Sequence, residues 1–498
     1  MQPLIRLAFI CLMASGYPVV STAQEIYRLD LETSILLARQ KSIRMQLLEQ
    51  SLKSASFNYK AAISQNKTHI NLDMTLPQYT ETVKQWEDSS GISFYPVRQN
   101  QLNSYLEISQ PLPTDGSLYM RTGAQSFVDY YANDRNTQLN SSIGLRQPIE
   151  AFFGFNNNRM SYKQAKLAYE LSMKQLKREE LNLVYDISQD YFTLLSTQER
   201  MNIARMSLEK QNEACTIAQS KYSAGLIREV EALQMEVDLS SSANNYDMAK
   251  VEFSAQVRTF KQNLGISLQD SIVVSSELTY KPVLVDVEKA VDLAMNNRPE
   301  LRENEIEIEL QEMVIKRQRA QGMPSGNILL NYNFIGVGKD PRSIPIGGTF
   351  DQTWENLISR PGSFGVGLTA SIPILDWGEN RARVQSARST LKQNQLQMEN
   401  NRITIERDIR TQVDRLQSSL RRLQLLEKNV FVAEKSFDIS RQRYANGEID
   451  SQSMALERER LNNAYNTRLD AYINYKLLLS DIMRKTFFDF EQNKAVGQ

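Results

Sequence analysis

Between Asn156 and Ala224 the chain contains neither glycine nor proline, and the same is true from Glu379 to Asn446. Those two residue types are the ordinary interrupters of a helix, by backbone freedom and by loss of an amide donor. Each run is nearly seventy residues. At ~1.5 Å per residue, that is about 100 Å of unbroken helix, far beyond the ~11 residues of an average globular helix. Over the whole chain, 20 Gly and 14 Pro in 498 residues make about 7%, against a usual ~12%. A polypeptide built this way folds around a few very long helices, not into a row of small domains.

The second run carries its own packing instructions. Ile409, Val413, Leu416, Leu420, Leu423, Leu426, Val430, Ala433 and Phe437 recur at steps of mostly alternating four and three. This keeps a narrow apolar seam on one face and predicts coiled-coil packing. The first run is patterned more weakly, through Val184, Ile187, Tyr191 and Leu194. Shorter helical runs are predicted over 30–63, 226–264, 286–321 and 448–484.

The chain reads as an internal duplication. Tyr222-Ser223-Ala224-Gly225 recurs as Tyr444-Ala445-Asn446-Gly447, and Gln147-Pro148-Ile149 as Ile372-Pro373-Ile374. Leu37-Ala38 is echoed by Leu293-Ala294. Each copy orders a short helix, strands, a long helix, a Gly turn and a short helix. The boundaries drawn from this are 24–264 and 286–484 for the two copies, 265–285 between them, and a tail over 485–498. So long a period fits two fused copies and not a solenoid.

Within each copy, period-2 segments precede the long helix. Ile70, Leu72, Met74 and Leu76 alternate with polar residues, as do Ile143 and Leu145, Ile328 to Phe334, and Phe364 to Ile372. Such alternation gives a strand one apolar and one polar face. It suits membrane strands of ~9–11 residues and equally an ordinary two-sheet domain. Four clear strands cannot close a barrel, since barrels begin at ~8 strands. An open edge in lipid would leave backbone polar groups unsatisfied. A membrane reading therefore requires several chains, and three would give twelve strands. A further stretch in the first copy, Tyr105 to Val128 around Pro111–Gly116, reads as an added hairpin. It stands above or beside the barrel, or equally adds two membrane strands per chain. Residues 81–101 and 336–362 read as long polar loops facing the outside.

Residues 1–23 read as a secretory signal, with Arg6, an apolar stretch from Leu7 to Val20 and the small residues Ser21-Thr22-Ala23 ahead of the cut. Phe9-Ile10 before Cys11 does not suit a lipoprotein signal. The formal charge is zero, with 58 Lys+Arg against 58 Asp+Glu, which gives no basic excess for nucleic acid. One histidine, His69, and two cysteines, Cys11 and Cys215, leave no expected metal site, triad or disulfide framework. No phosphate loop or nucleophile elbow is present, so neither enzyme activity nor a cofactor is expected.

The duplicated halves, the paired Tyr-x-x-Gly turns, Asn297-Arg298-Pro299-Glu300-Leu301 and Ile372-Pro373-Ile374-Leu375-Asp376-Trp377-Gly378 together resemble the TolC-like outer-membrane efflux protein family. The resemblance runs from about Tyr27 to Arg484. It implies an α+β membrane protein: a homotrimer whose long α-helical coiled-coil barrel is continuous with a transmembrane β-barrel. It also implies an outer-membrane location with a periplasmic helical extension. As function it implies the exit duct of a tripartite efflux pump or type I secretion system. A periplasmic adaptor (membrane fusion) protein and an inner-membrane transporter of resistance-nodulation (RND) or ATP-binding (ABC) type would be its partners. The segment 265–285 would belong to a belt around the tunnel.

By the same resemblance Tyr222, Gly225, Tyr444 and Gly447 mark the periplasmic tips, where the tunnel closes and the adaptor docks. Read physically, each Gly between two helical runs allows the left-handed geometry of an αα-hairpin turn. Family members often carry an acid nine positions after the Tyr. Glu231 holds that place in the first copy, whereas the second has Ser453, with Glu448 and Asp450 nearer the turn. Threefold repetition of such carboxylates would give a weak acidic ring favouring cations. The competing reading is a solvated carboxylate at a helix end. The alternative function is an exported periplasmic coiled-coil structural protein with small β inserts.

Overall fold

The computed structural model describes residues 26–89, 91–274, 278–341 and 346–496. The expected signal segment lies outside the described residues. In chain order the elements are β1 (Ile26–Leu29), α1 (Leu31–Lys41), α2 (Ile43–Ser64), β2 (His69–Asp88), β3 (Gly91–Pro111), β4 (Ser117–Asp129), β5 (Asp134–Pro148), α3 (Asn157–Ser223), α4 (Glu229–Leu264) and β6 (Ser271–Val274). There follow α5 (Val287–Asn297), α6 (Pro299–Gln321), β7 (Ser325–Pro341), α7 (Ile346–Ser359), β8 (Ser363–Ser371), α8 (Glu379–Asn446), α9 (Ser451–Thr486), β9 (Phe488–Asp489) and β10 (Lys494–Ala495). Both breaker-free runs are single helices, α3 of 67 residues and α8 of 68. Along the α8 seam Ile409, Val413, Leu416, Leu420, Leu423, Val430 and Phe437 are buried.

Two predicted helices are divided. The run 30–63 breaks at Ser42, whose backbone is extended and whose N–H closes α1 on Ala38. The run 286–321 breaks at Arg298, because Pro299 forces its predecessor out of the helical region and then opens α6.

The chain forms two compact units. One contains the residues up to Met45 with Leu183–Val283 and Leu416–Asp481. It is helical, with a two-stranded parallel pairing of β1 and β6. There the segment between the repeats is pinned by three tyrosines. Tyr475 Oη accepts from Val283 N at 3.0 Å and donates to Lys281 O at 2.9 Å. Tyr472 Oη donates to Thr279 O at 3.0 Å, and Tyr280 Oη to Glu427 at 3.0 Å. Burial, then the Glu427 carboxylate, pushes the Tyr280 phenol up to about 12.

The other unit contains Gln46–Asn182, Leu284–Arg415 and the residues from Ile482 on. Its centre is one antiparallel sheet in the order β2-β3-β4-β5-β7-β8. This corrects the count of four strands. The added hairpin is neither beside nor above the sheet but inside it, as β3 and β4. Ile70, Ile108, Met120, Ile143, Tyr332 and Phe364 stand opposite one another across all six strands, and most of them are exposed. The adjacent row, on the other face, is Asn71, Glu107, Arg121, Ser142, Asn333 and Ser363. Along these two rows one face is apolar and the other polar across all six strands, while the next row of the apolar face includes Thr122 and Ser141. The β3–β4 turn is fastened to the long helix: Asp115 accepts from the N–H groups of Asn157 and Asn158 at 2.9 and 3.0 Å. It satisfies two donors that a helix start leaves open.

Both predicted loops are corrected as well. Residues 81–101 are the paired upper halves of β2 and β3 around Asp88–Gly91. Of 336–362, the first residues extend β7 and 346–359 form α7, which packs on β7 and β5. The two strands of the first are held together by continuous backbone pairing from Gln78–Gln101 to Asp88–Gly91.

Candidate functional site

The two Tyr-x-x-Gly turns lie in the helical unit, and one local geometry builds both. At the end of α3, Gly225 N donates to Tyr222 O and Leu226 N to Lys221 O, each at 2.8 Å. At the end of α8, Gly447 N donates to Tyr444 O at 3.1 Å and Glu448 N to Arg443 O at 2.8 Å. Gly225 and Gly447 have φ of 70° and 80°. This is the paired closure by which a left-handed residue satisfies a helix's last carbonyls. The motif spacing follows from it, since the Tyr supplies the carbonyl three residues before the glycine that must turn left-handed.

The two tyrosines differ. Tyr222 is 44% exposed, whereas Tyr444 is 3% exposed. Tyr444 packs in a cluster with Cys215, Ala218, Met235, Phe437, Met454 and Leu461. Burial, then the nearby Glu231, raises its phenol above the ordinary range. Its carbonyl also accepts a hydrogen bond from Lys221 Nζ, and that ammonium lies 4.6 Å from the centroid of the Tyr444 ring. One basic side chain therefore ties the turn of the first repeat to that of the second. Sequence reasoning missed it. The available signal was a basic residue directly before each motif Tyr, Lys221 and Arg443.

Each of the three acids has a local partner. Glu231 pairs with Arg228 at 2.9 Å, and Glu448 with Arg443 at 3.2 Å. Asp450 caps α9 by accepting from Ser453 N at 2.9 Å. Hydrogen bonds from Ser453 hold its carboxyl below the usual range. Beside the second turn runs a polar groove of about 670 Å³, lined in part by Ser207, Asp238, Asn245, Asp450, Arg458 and Asn462. Arg458 reaches Asp238 at 3.5 Å, and Asn462 donates to Ser207 at 2.9 Å. Among the described residues no cluster of three or more His, Cys, Asp or Glu could hold a metal.

The pattern of the outer membrane efflux proteins matches this chain twice, over residues 34–265 and again over 290–476. The chain belongs to that family. It is an outer-membrane protein of TolC-like fold with two repeats and a periplasmic helical part. The alternative of a periplasmic structural protein is set aside by this membership. Nodulation protein T of Rhizobium leguminosarum bv. trifolii is 23% identical over 297 residues, which is 59% of this chain. The match spans about 60% of that relative's length. In fold the chain is similar to the Campylobacter jejuni CmeC outer membrane channel, with a TM-score of 0.67, 15% identity, and coverage of 92% of this chain and 85% of that one. It is also similar to the outer membrane protein VceC of Vibrio cholerae, with 0.66, 15%, and coverage of 92% and 95%. The open-state MtrE channel of Neisseria gonorrhoeae gives 0.62 at 14%, covering 92% and 88%.

Proposed function

We propose that three copies of this chain close one barrel across the outer membrane and serve as the passive exit duct of a tripartite efflux pump or type I secretion system. The observation that carries this reading is the six-stranded sheet, apolar on one face, whose edges β2 and β8 run in opposite directions. Left open in lipid, each edge would expose polar backbone groups at a cost of several kcal/mol apiece. Edge-to-edge joining of identical chains removes both. Three times six gives eighteen strands, with a mean backbone radius of about 18 Å at the usual spacing and ~40° tilt. Twelve would give about 12 Å.

In this reading Tyr222, Gly225, Tyr444 and Gly447 form the periplasmic tip. The exposed Tyr222 and the polar groove beside the second turn suit an adaptor protein's helices. An inner-membrane transporter of RND or ABC type supplies the energy. Glu231 and Glu448 contribute a weak acidic ring, with Asp450 engaged as a helix cap.

The reading is tested on detergent-extracted protein, which should run as a heat-modifiable trimer, form pores in planar bilayers and show the wider ring by electron microscopy. A water-soluble monomer without pore activity would overturn it. For the ring, Glu231→Gln should weaken cation preference and divalent-ion block, and unchanged values would remove it from the proposal.

A further inference from the structure

Helix α7 joins β7 to β8 and has two unlike sides. The inner side is made of small residues. Thr349 and Thr353 are fully buried. Thr353 Oγ1 donates to Thr349 O at 2.6 Å and lies 3.2 Å from Thr137 O of β5. Gln352 donates to Asp340 of β7 at 2.8 Å. Beneath the helix, β7 has Gly336 and Gly338. A Cβ on Gly336 would lie 2.2 Å from Thr353 O, and one on Gly338 2.4 Å from Thr349 O. The two glycines are what allow the helix backbone to rest on the sheet.

The outer side is apolar. Phe350, Trp354 and Ile358 follow one another at intervals of one turn and are 43%, 52% and 68% exposed. At 14 residues α7 is too short to span a bilayer. Asp351 and Glu355 are exposed as well. Each follows a stripe residue by one position, ~100° further round, so they form a separate acidic flank.

Register fixes which face of the sheet the helix covers. Ile328, Leu330, Tyr332 and Phe334 alternate along β7 on the apolar face, and the same alternation places Gly336 and Gly338 there. The apolar band therefore ends in glycine at Gly336, where α7 lies over it. Phe350, Trp354 and Ile358 resume the band one layer further out.

We propose that α7 is a lipid-contacting helix on the outside of the barrel. Its Phe350–Trp354–Ile358 stripe lies against the acyl chains of the outer leaflet, and Asp351 and Glu355 lie at headgroup level. Continuity with the apolar band of an outer-membrane sheet selects lipid as the occupant. A tryptophan with an apolar body and a polar N–H suits the boundary between acyl chains and headgroups. The inference rests on the barrel reading above, and the test separates the two.

A chain with Trp86→Phe and Trp377→Phe retains Trp354 alone and is reconstituted as the oligomer in vesicles. A second chain also carries Trp354→Phe and places its only tryptophan in the band, by Tyr332→Trp. Phosphatidylcholine brominated near the top of the acyl chain should abolish most Trp354 emission, and aqueous acrylamide little of it. Strong acrylamide quenching of Trp354 would overturn the inference by placing the stripe in water. Protection from both quenchers would also overturn it, since a neighbouring copy would then cover the stripe. If the Tyr332→Trp chain is quenched by bromine and Trp354 is not, only the α7 inference fails. If neither is quenched, the barrel reading itself fails.

Discussion

Replacing Lys221 with methionine isolates the one contact that joins the turns of the two repeats. Methionine keeps an apolar stem of similar reach but carries no charge. The Tyr444 carbonyl is not orphaned, because Gly447 N still donates to it at 3.1 Å. What disappears is a charge-assisted hydrogen bond and an ammonium 4.6 Å from an aromatic ring. A charged hydrogen bond is worth about 1.5–3 kcal/mol and an exposed cation–π contact about 0.5–1. Lys221 is only half-buried, so screening brings the sum down to about 1–2 kcal/mol. At ~1.4 kcal/mol per factor of ten, the separated tip should gain about five- to thirty-fold in population in each chain. With the turns forming the closing tip as proposed above, single-channel recording in planar bilayers would read this as a higher open probability, with Lys221→Arg retaining most of the closed state. Openings of the Lys221→Met channel indistinguishable from those of the parent would refute the argument that Lys221 holds the two turns together.

Gly225→Ala and Gly447→Ala should each cost about 1–2 kcal/mol. An added Cβ meets nothing within 4 Å at either site, so the cost is purely conformational, and limited proteolysis should cut both variants faster at the turn. Asp115→Ala removes two acceptors at the start of α3 and should cost about 1–2 kcal/mol, read as an earlier thermal transition of the detergent-solubilised protein. For Tyr280, a folded pKa of about 12 lies above its unfolded value of 10.0. The unfolded chain therefore loses its proton first, and this tyrosine's contribution is complete below pH 10 and declines as pH rises towards 12. Phenolate absorbance should show Tyr280 among the late-titrating tyrosines, together with Tyr465, which burial and Glu434 also push up to about 12. In Glu427→Gln, Tyr280 alone of the two should titrate earlier, yet still above pH 10, because burial is the larger cause.

Much of this architecture was written in patterns that need no partner to be read. Breaker-free runs and a four-three apolar rhythm gave α3 and α8, and the same rhythm picked out the buried residues. The Tyr-x-x-Gly spacing gave both turns because their closure is local, within six residues. The strand count was illegible for a physical reason. Thr122-Gly123-Ala124-Gln125-Ser126 in β4 has no apolar alternation and is a strand because β3 and β5 flank it. The cap from Asp115 acts across 42 positions to Asn157, a distance no local rule spans. Helix α7 hid behind Gly347-Gly348, although Phe350, Trp354 and Ile358 at intervals of four were in plain view.

The sheet contains six strands that alternate in direction, so its first and last members point oppositely. Parity is what allows copies of such a sheet to be joined in a ring with every seam antiparallel. Inserting one strand would make the two ends agree in direction and spoil every seam at once. Inserting a hairpin preserves the alternation. A threefold wall of this kind can therefore widen only in increments of six strands, and β3 with β4, repeated in three copies, would constitute one such increment.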